Sequence, residues 1–268
     1  MVTIKKIASN VKPIAQAGLT AKGIVYCLLG VFAFMAAFNI AGQSANNTDK
    51  QGVFSFIEKQ TGGQIMLAVI ALGLLCYSMW RGLQTFADTE DKGANAKGLA
   101  ARGRYLFSGL IYTSLAAYAI KMLFTGSKSS GDSKQSMAQE LLSKPFGQWM
   151  VAIGAAIMIG VGLYQAYYGL SEKYRKHVNK SGNSTGNKIL LAAGKAGYVA
   201  RGIVWLIIGW LFAKAALNSN SSEAGDTSKA FGFLAEASYG SYLLAAVAAG
   251  LICYGLFNFI RVRYETFG

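Results

Sequence analysis

The chain has 268 residues, of which 53% are hydrophobic and only 14% charged, with 32 glycines, 2 prolines and a net charge of +14. A soluble domain carries about 25% charged residues, so an ordinary soluble fold is excluded. The three cysteines, an odd number without a C-x-x-C pair, exclude a disulfide framework.

In chain order, residues 4–14 mix lysines with apolar residues. They are too short and too interrupted for a secretory signal and predict a basic amphipathic lead-in lying along the inner membrane surface. An apolar block near 18–39 follows. Thr48-Asp49 then precede Val53, Phe54, Phe56 and Ile57, which predicts an N-capped short helix on the outer interface. After the block 63–86 comes Asp88 to Gly98, rich in charge and Gly, which reads as a mobile loop. The block 104–124 is followed by a second short apolar patch, Met137, Leu141 and Leu142, and then by the block 147–170. Lys176 to Lys188 reads as another mobile loop. The block 197–218, a third patch at Phe231, Phe233 and Leu234 behind Thr227-Ser228, and the block 240–260 complete the chain. Each block suffices to cross a hydrocarbon layer of roughly 30 Å as a helix. None carries Asp or Glu in its central turns. Lipid leaves no partner for an unpaired backbone group, so the segments are helices.

The blocks repeat. The odd ones open on G-L-T-A-K-G-I-V-Y (Gly18 to Tyr26), R-Y-L-F-S-G-L-I-Y (Arg104 to Tyr112) and G-Y-V-A-R-G-I-V-W (Gly197 to Trp205). The even ones carry G-L-L-C-Y (Gly73 to Tyr77), G-V-G-L-Y (Gly160 to Tyr164) and G-L-I-C-Y (Gly250 to Tyr254). A self-match at fixed period marks a repeat architecture. The predicted fold is an all-α integral membrane protein, a single membrane domain over 1–268. Its six transmembrane helices form three parallel two-helix repeats (15–87, 99–174 and 192–264), with a short interfacial helix in each outer loop. Parallel repeats are related by an axis along the membrane normal, and a pseudo-threefold bundle is the natural packing.

If the amino terminus is cytoplasmic, 18 of the 26 basic residues fall on the cytoplasmic side. The positive-inside rule therefore places both termini there. The charge excess becomes a topology signal and a contact with anionic lipid headgroups on that side, and nucleic acid is set aside as a partner. Gly23, Gly30, Gly109, Gly202 and Gly209 on the odd helices, with Gly73, Gly160 and Gly250 on the even ones, predict close helix packing. Ionisable and polar residues inside membrane segments are functional suspects. Arg81, Lys121 and Lys214 sit near helix ends, where long basic stems snorkel to the interface. Gln165, Asn258 and the tyrosines Tyr77, Tyr164 and Tyr254 are candidates either for interhelical hydrogen bonds or for the lining of a polar pathway. Cys27, Cys76 and Cys253 read as buried packing residues. The only histidine, His177, lies in a loop, so no haem-ligating pair, zinc set or Ser/His constellation is present. Neither a catalytic site nor a cofactor or metal is expected.

The triplicated A-[KR]-G-[IV]-V-[YW] openings, Ala21 to Tyr26 and Ala200 to Trp205, together with the G-x-x-x-Y helices, resemble the bacterial membrane family called domain of unknown function 1206. The resemblance covers about residues 15–264. It implies a helix pair repeated three times in a bacterial inner membrane, and no activity or catalytic residue comes with it. Ser108 departs from the pattern, standing where the outer copies have Lys22 and Arg201. The expected function is a structural, accessory or regulatory membrane component, with a membrane-protein partner as one prospect. The alternative is a channel or transporter for a small neutral or anionic solute.

Overall fold

A computed structural model describes residues 2–45, 48–126, 146–177 and 185–264, and among these residues six long helices and two short ones make up the α-helical architecture. Side chains are described for these residues except 2–11, 176–177 and 185–190. The long helices are α1 (Val2–Ala37), α3 (Gly63–Phe86), α4 (Ala96–Thr125), α5 (Gly147–Leu170), α6 (Thr185–Leu217) and α8 (Gly240–Tyr264). The short ones are α2 (Lys50–Glu58) and α7 (Thr227–Ala235). No strand occurs among the described residues. Lys12–Ala37, Gly63–Phe86, Ala96–Thr125, Gly147–Leu170, Leu191–Leu217 and Gly240–Tyr264 are each long and apolar enough to cross a membrane.

Local chemistry sets the helix starts. Asp49 caps α2 by accepting from the Gly52 N–H at 2.7 Å. Asp226 caps α7 through the Ser228 N–H at 2.9 Å, so the cap lies one residue ahead of the Thr227-Ser228 pair. Each even long helix begins behind a residue in the left-handed region: Gly62 (φ 74), Phe146 (φ 64) and Tyr239 (φ 61). The glycine that follows is needed for space. A Cβ at Gly63 would stand 1.9 Å from the Ile57 carbonyl, and one at Gly240 2.1 Å from that of Ala235.

The two short helices press their apolar faces inward. Val53, Phe54 and Ile57 of α2 are buried, as are Ala230 and Phe231 of α7. Phe56 meets Phe32 edge-on at 4.8 Å, and Lys50 reaches the Tyr26 ring at 5.2 Å. The patch at Met137, Leu141 and Leu142 lies outside the described residues.

The long helices form a ring in the order α1, α3, α4, α5, α6, α8 and back to α1. Extensive backbone contact joins every neighbouring pair except α4 and α5, the two helices of the middle repeat. The pattern glycine of each odd helix seals the seam with the preceding repeat. A Cβ on Gly23 would meet the Gly255 carbonyl at 3.1 Å, one on Gly202 the Gly162 carbonyl at 2.9 Å, and one on Gly109 the Ser78 carbonyl at 3.7 Å. Seams this close need small residues where lipid supplies no drive for association.

These seams also set the register of the even helices. Ser78, Gly162 and Gly255 each lie fifteen positions past the glycine that opens the helix (Gly63, Gly147, Gly240). Tyr77 and Tyr254 are therefore matched by Val161. Tyr164 stands three residues further on, level with Trp80 and Phe257, and is not the threefold mate of the other two tyrosines. Gly160 is likewise out of step: the residue level with Gly73 and Gly250 is Ile157.

Three other expectations change. The basic lead-in is continuous with α1, which runs through Pro13. The loop after Lys176 is shorter than predicted, because α6 starts at Thr185. The α3–α4 loop is tied down, since the Asp88 carboxylate accepts from the N–H groups of Lys92 at 2.9 Å and Gly93 at 2.7 Å. Those two N–H groups hold the Asp88 carboxyl below its usual range.

Candidate functional site

Within repeats 1 and 3 the two long helices touch at an alanine–glycine contact. A Cβ on Gly73 would lie 2.5 Å from Ala21 Cβ, and one on Gly250 2.4 Å from Ala200 Cβ. In the middle repeat the same level holds Phe107, which replaces the alanine, and Ile157, which replaces the glycine. Two large side chains cannot share a contact built for a methyl group against bare backbone. The middle hairpin is accordingly splayed, and a cavity of about 880 Å³ occupies the space, with Phe107 and Ile157 in its wall. Gly160, predicted to pack, has nothing within 4 Å of a built Cβ and also faces this space.

One residue past the alanine, each outer repeat carries a cation held on its own tyrosine. Lys22 Nζ donates to Tyr77 Oη at 3.1 Å, and Arg201 Nη1 donates to Tyr254 Oη at 2.6 Å. The middle repeat has Ser108 and Val161 at these levels, so both members of its pair are absent. All of these side chains line the cavity.

The cations are close together at its deep end. Arg81 donates from Nε and Nη2 to the same Tyr77 hydroxyl, at 2.9 and 2.6 Å. Lys22 Nζ also lies 5.2 Å from the Tyr254 ring centroid and 5.3 Å from that of Tyr112. The Arg201 guanidinium lies 4.9 Å from Tyr254 and 5.2 Å from Tyr26. Among the described residues no carboxylate is within ion-pair distance of Lys22, Arg81 or Arg201. Lys22 is only 2% exposed. A buried cation costs several kcal/mol unless it is compensated, and a desolvated cation–π contact returns about 2 kcal/mol. Aromatic faces and phenol oxygens thus offset part of the cost and leave the positive field in place.

Toward the end of the bundle where α1 and α6 begin, the mouth is organised by Glu90. Its carboxylate accepts from the Tyr105 hydroxyl at 2.8 Å and from Gln84 Nε2, and it pairs with Lys92 at 3.2 Å. Gln84 in turn accepts from Arg81 Nη1 at 2.6 Å, so the loop is linked to the deep cations. Burial works to raise the Glu90 carboxyl, but the Tyr105 hydroxyl and the Lys92 charge outweigh it and hold it below its usual range. Among the lining side chains seven are Lys or Arg and one, Glu90, is acidic. The cavity therefore favours a negative ligand.

Of the polar residues singled out in the sequence, Tyr77, Arg81, Tyr164, Gln165 and Tyr254 meet in the cavity wall. Gln165 is 8% exposed, and its Oε1 has no hydrogen-bond partner among the described residues. Asn258 is not part of the wall; it is fully buried and donates to the Tyr254 carbonyl at 2.6 Å. Lys121 and Lys214 are exposed and outside the cavity, and Lys214 pairs with Glu223 at 3.4 Å. Gly30 and Gly209 pack closely, on Ile252 and Ile159. On α5 the packing glycines are Gly162 and Gly169. Cys27, Cys76 and Cys253 are free thiols.

Sequence reading passed over Glu90, Phe107, Val161 and Ile157. The signal for the last three was present in the spacings. The odd pattern glycines are 86 and 93 residues apart and the even ones 87 and 90. The mismatch of three between 93 and 90 marks the slip in α5.

A family model described as Domain of Unknown Function (DUF1206) matches the chain three times, at residues 17–88, 104–172 and 196–265. The chain belongs to this family. A relative in Bacillus subtilis (strain 168), described as uncharacterized protein YxxB, is 31% identical over 270 residues, covering 98% of this chain and 95% of its own length. No solved structure matches. The three family matches correspond to the three helix pairs of the ring, and the cavity opens within the second.

Proposed function

We propose that this DUF1206 protein binds an anionic ligand in the cavity of its middle repeat, as a carrier or receptor in a bacterial inner membrane with both termini cytoplasmic. The observation that carries the reading is the cluster of Lys22, Arg81 and Arg201, which converge on shared tyrosines with no carboxylate partner among the described residues. The basic excess at the end bearing the termini supports the orientation, which puts the mouth on the cytoplasmic side. A channel or transporter for a small solute was the alternative expected from sequence. The cavity favours it, limited to anions, over a purely structural component. The absence of intramembrane carboxylates argues against cation or proton coupling of the usual kind. The site has no arrangement suited to bond-breaking, and the reading is not enzymatic.

The test is thermal unfolding of the purified protein in phosphatidylcholine nanodiscs, with sodium phosphate against sodium chloride at equal ionic strength. Phosphate raises the midpoint of the wild type and leaves that of the double variant Lys22→Gln/Arg201→Gln unmoved. Equal response of both proteins rejects the site. Flux of the same anion from loaded liposomes then separates carrier from receptor. A structural or accessory role, the second reading, is favoured by the tightly sealed seams, and a stoichiometric protein partner in a native purification would restore it to first place.

A further inference from the structure

Resting on the anion-binding reading, we infer that the occupant is a lipid with a phosphomonoester headgroup, which enters sideways from the leaflet at the mouth end, through the gap between α4 and α5. Two features of the cavity have to be met by one molecule. Its deep end draws like charges together: Lys22 and Arg81 share the Tyr77 hydroxyl, and Lys22 and Arg201 share the Tyr254 ring. Cations repel at such range, and a multiply charged tetrahedral anion is the group that several Lys and Arg donors satisfy together. The place for it is where the middle repeat lacks its own basic–tyrosine pair, beside Ser108 and Gln165. Gln165, nine-tenths buried with an unpartnered oxygen, turns its N–H₂ toward a phosphate oxygen when its amide is flipped.

The other feature is apolar and lateral. Phe107, Ile111, Ile157 and Val161 line the cavity from α4 and α5, whose backbones stand apart and which the Arg104 guanidinium bridges toward the mouth, 4.4 Å from the Tyr164 ring centroid. Those helices are the least covered of the six spans: 28% of the apolar stretch of α4 and 22% of that of α5 are buried, against 39–56% in the others. The slot thus leads from the cations to the side of the bundle, where acyl chains run. A small hydrophilic anion uses only the deep end. An anionic lipid fills both, with its headgroup on the cations and its chains between α4 and α5.

The experiment is native mass spectrometry of the full chain released from phosphatidylcholine nanodiscs doped with phosphatidic acid, beside the phosphate unfolding measurement above. One phosphatidic acid is retained per protein. Its retention falls about tenfold or more in Lys22→Gln/Arg201→Gln, as expected for lost charge-assisted hydrogen bonds. Ser108→Trp, which fills the slot and leaves the buried cations in place, lowers retention as well, so the proposal does not depend on a charge variant that fails to fold. Phosphatidic acid held no better than phosphatidylcholine, with phosphate still stabilising the wild type, overturns the lipid and leaves a small soluble anion as the ligand. Response to neither probe overturns both readings. Retention unchanged in both variants places the lipid elsewhere and overturns the inference.

Discussion

A glycine that looks the same in three copies has two different jobs. Gly73 and Gly250 let α3 and α8 close onto Ala21 and Ala200, whereas Gly160 faces open space. Gly250→Leu therefore forces overpacking and lowers stability by about 1–3 kcal/mol. Gly160→Ala stays within about 0.5 kcal/mol of wild type. Thermal unfolding in nanodiscs reads both, and equal losses would contradict the register assigned to α5. Glu90 is a second residue with a definite consequence. Its carboxyl is held below the usual range in the folded protein, so its contribution is fully present above the unfolded value of about 4.3 and is lost as pH falls through the depressed folded value. Protection of residues 88–95 against hydrogen exchange, relative to the intrinsic amide rate at each pH, should fall in that acid window. Glu90→Gln should exchange fast at neutral pH and respond little to acid.

The short helices are worth more than their length suggests, because they are anchored at both ends of their chemistry: a carboxylate cap and a buried aromatic. Asp49→Ala removes the bond to the Gly52 N–H and costs about 1 kcal/mol. Phe54 is fully buried and stacks near Tyr118 on α4 at 6.4 Å, so Phe54→Ala costs about 3 kcal/mol or more. The cost includes the hold of α2 on the middle repeat, and limited proteolysis around residues 43–62 should report it. If Phe54→Ala unfolds no earlier than Asp49→Ala, α2 is not docked as described. The even long helices show how element and sequence pattern can part. α5 begins with the same glycine and left-handed residue as α3, yet its conspicuous G-x-x-x-Y lies three residues late. Packing followed the helix start and the seam through Gly162, and the look-alike motif was left facing the cavity.

For the molecule as a whole, parallel repeats demand that the loops alternate strictly between sides. After replacement of Cys27, Cys76 and Cys253, a cysteine at Gly93 should react only with reagent admitted to the cytoplasmic side, and one at Ser222 only from outside. The reverse pattern would invert the bundle and move the mouth to the other leaflet. Among the described residues, the closed seams between repeats, the close Ala–Gly contacts in repeats 1 and 3, and the splayed repeat 2 together make a ring whose backbone contact is interrupted between α4 and α5.

Much of this was written in the chain. Apolar block length, the absence of acids in the blocks and the repeat determine six helices and their pairing, because each depends on local composition against the fixed thickness of a bilayer. The odd-helix glycines of the seams, Gly23, Gly109 and Gly202, were legible as small residues at helical spacing, whereas Gly162 and Gly255 opposite them were not; Tyr77, Arg81, Gln165 and Tyr254 were legible as polar groups with no place in lipid. Tertiary structure alone decided which of them meet. Lys22 and Arg201 become a site only because ring closure brings repeats 1 and 3 side by side. Glu90 becomes its organiser only because a loop folds back on Tyr105. The cavity exists because Phe107 and Ile157 stand where the other copies set alanine against glycine, and a fit between helices fifty residues apart follows from packing, which no single stretch of sequence contains.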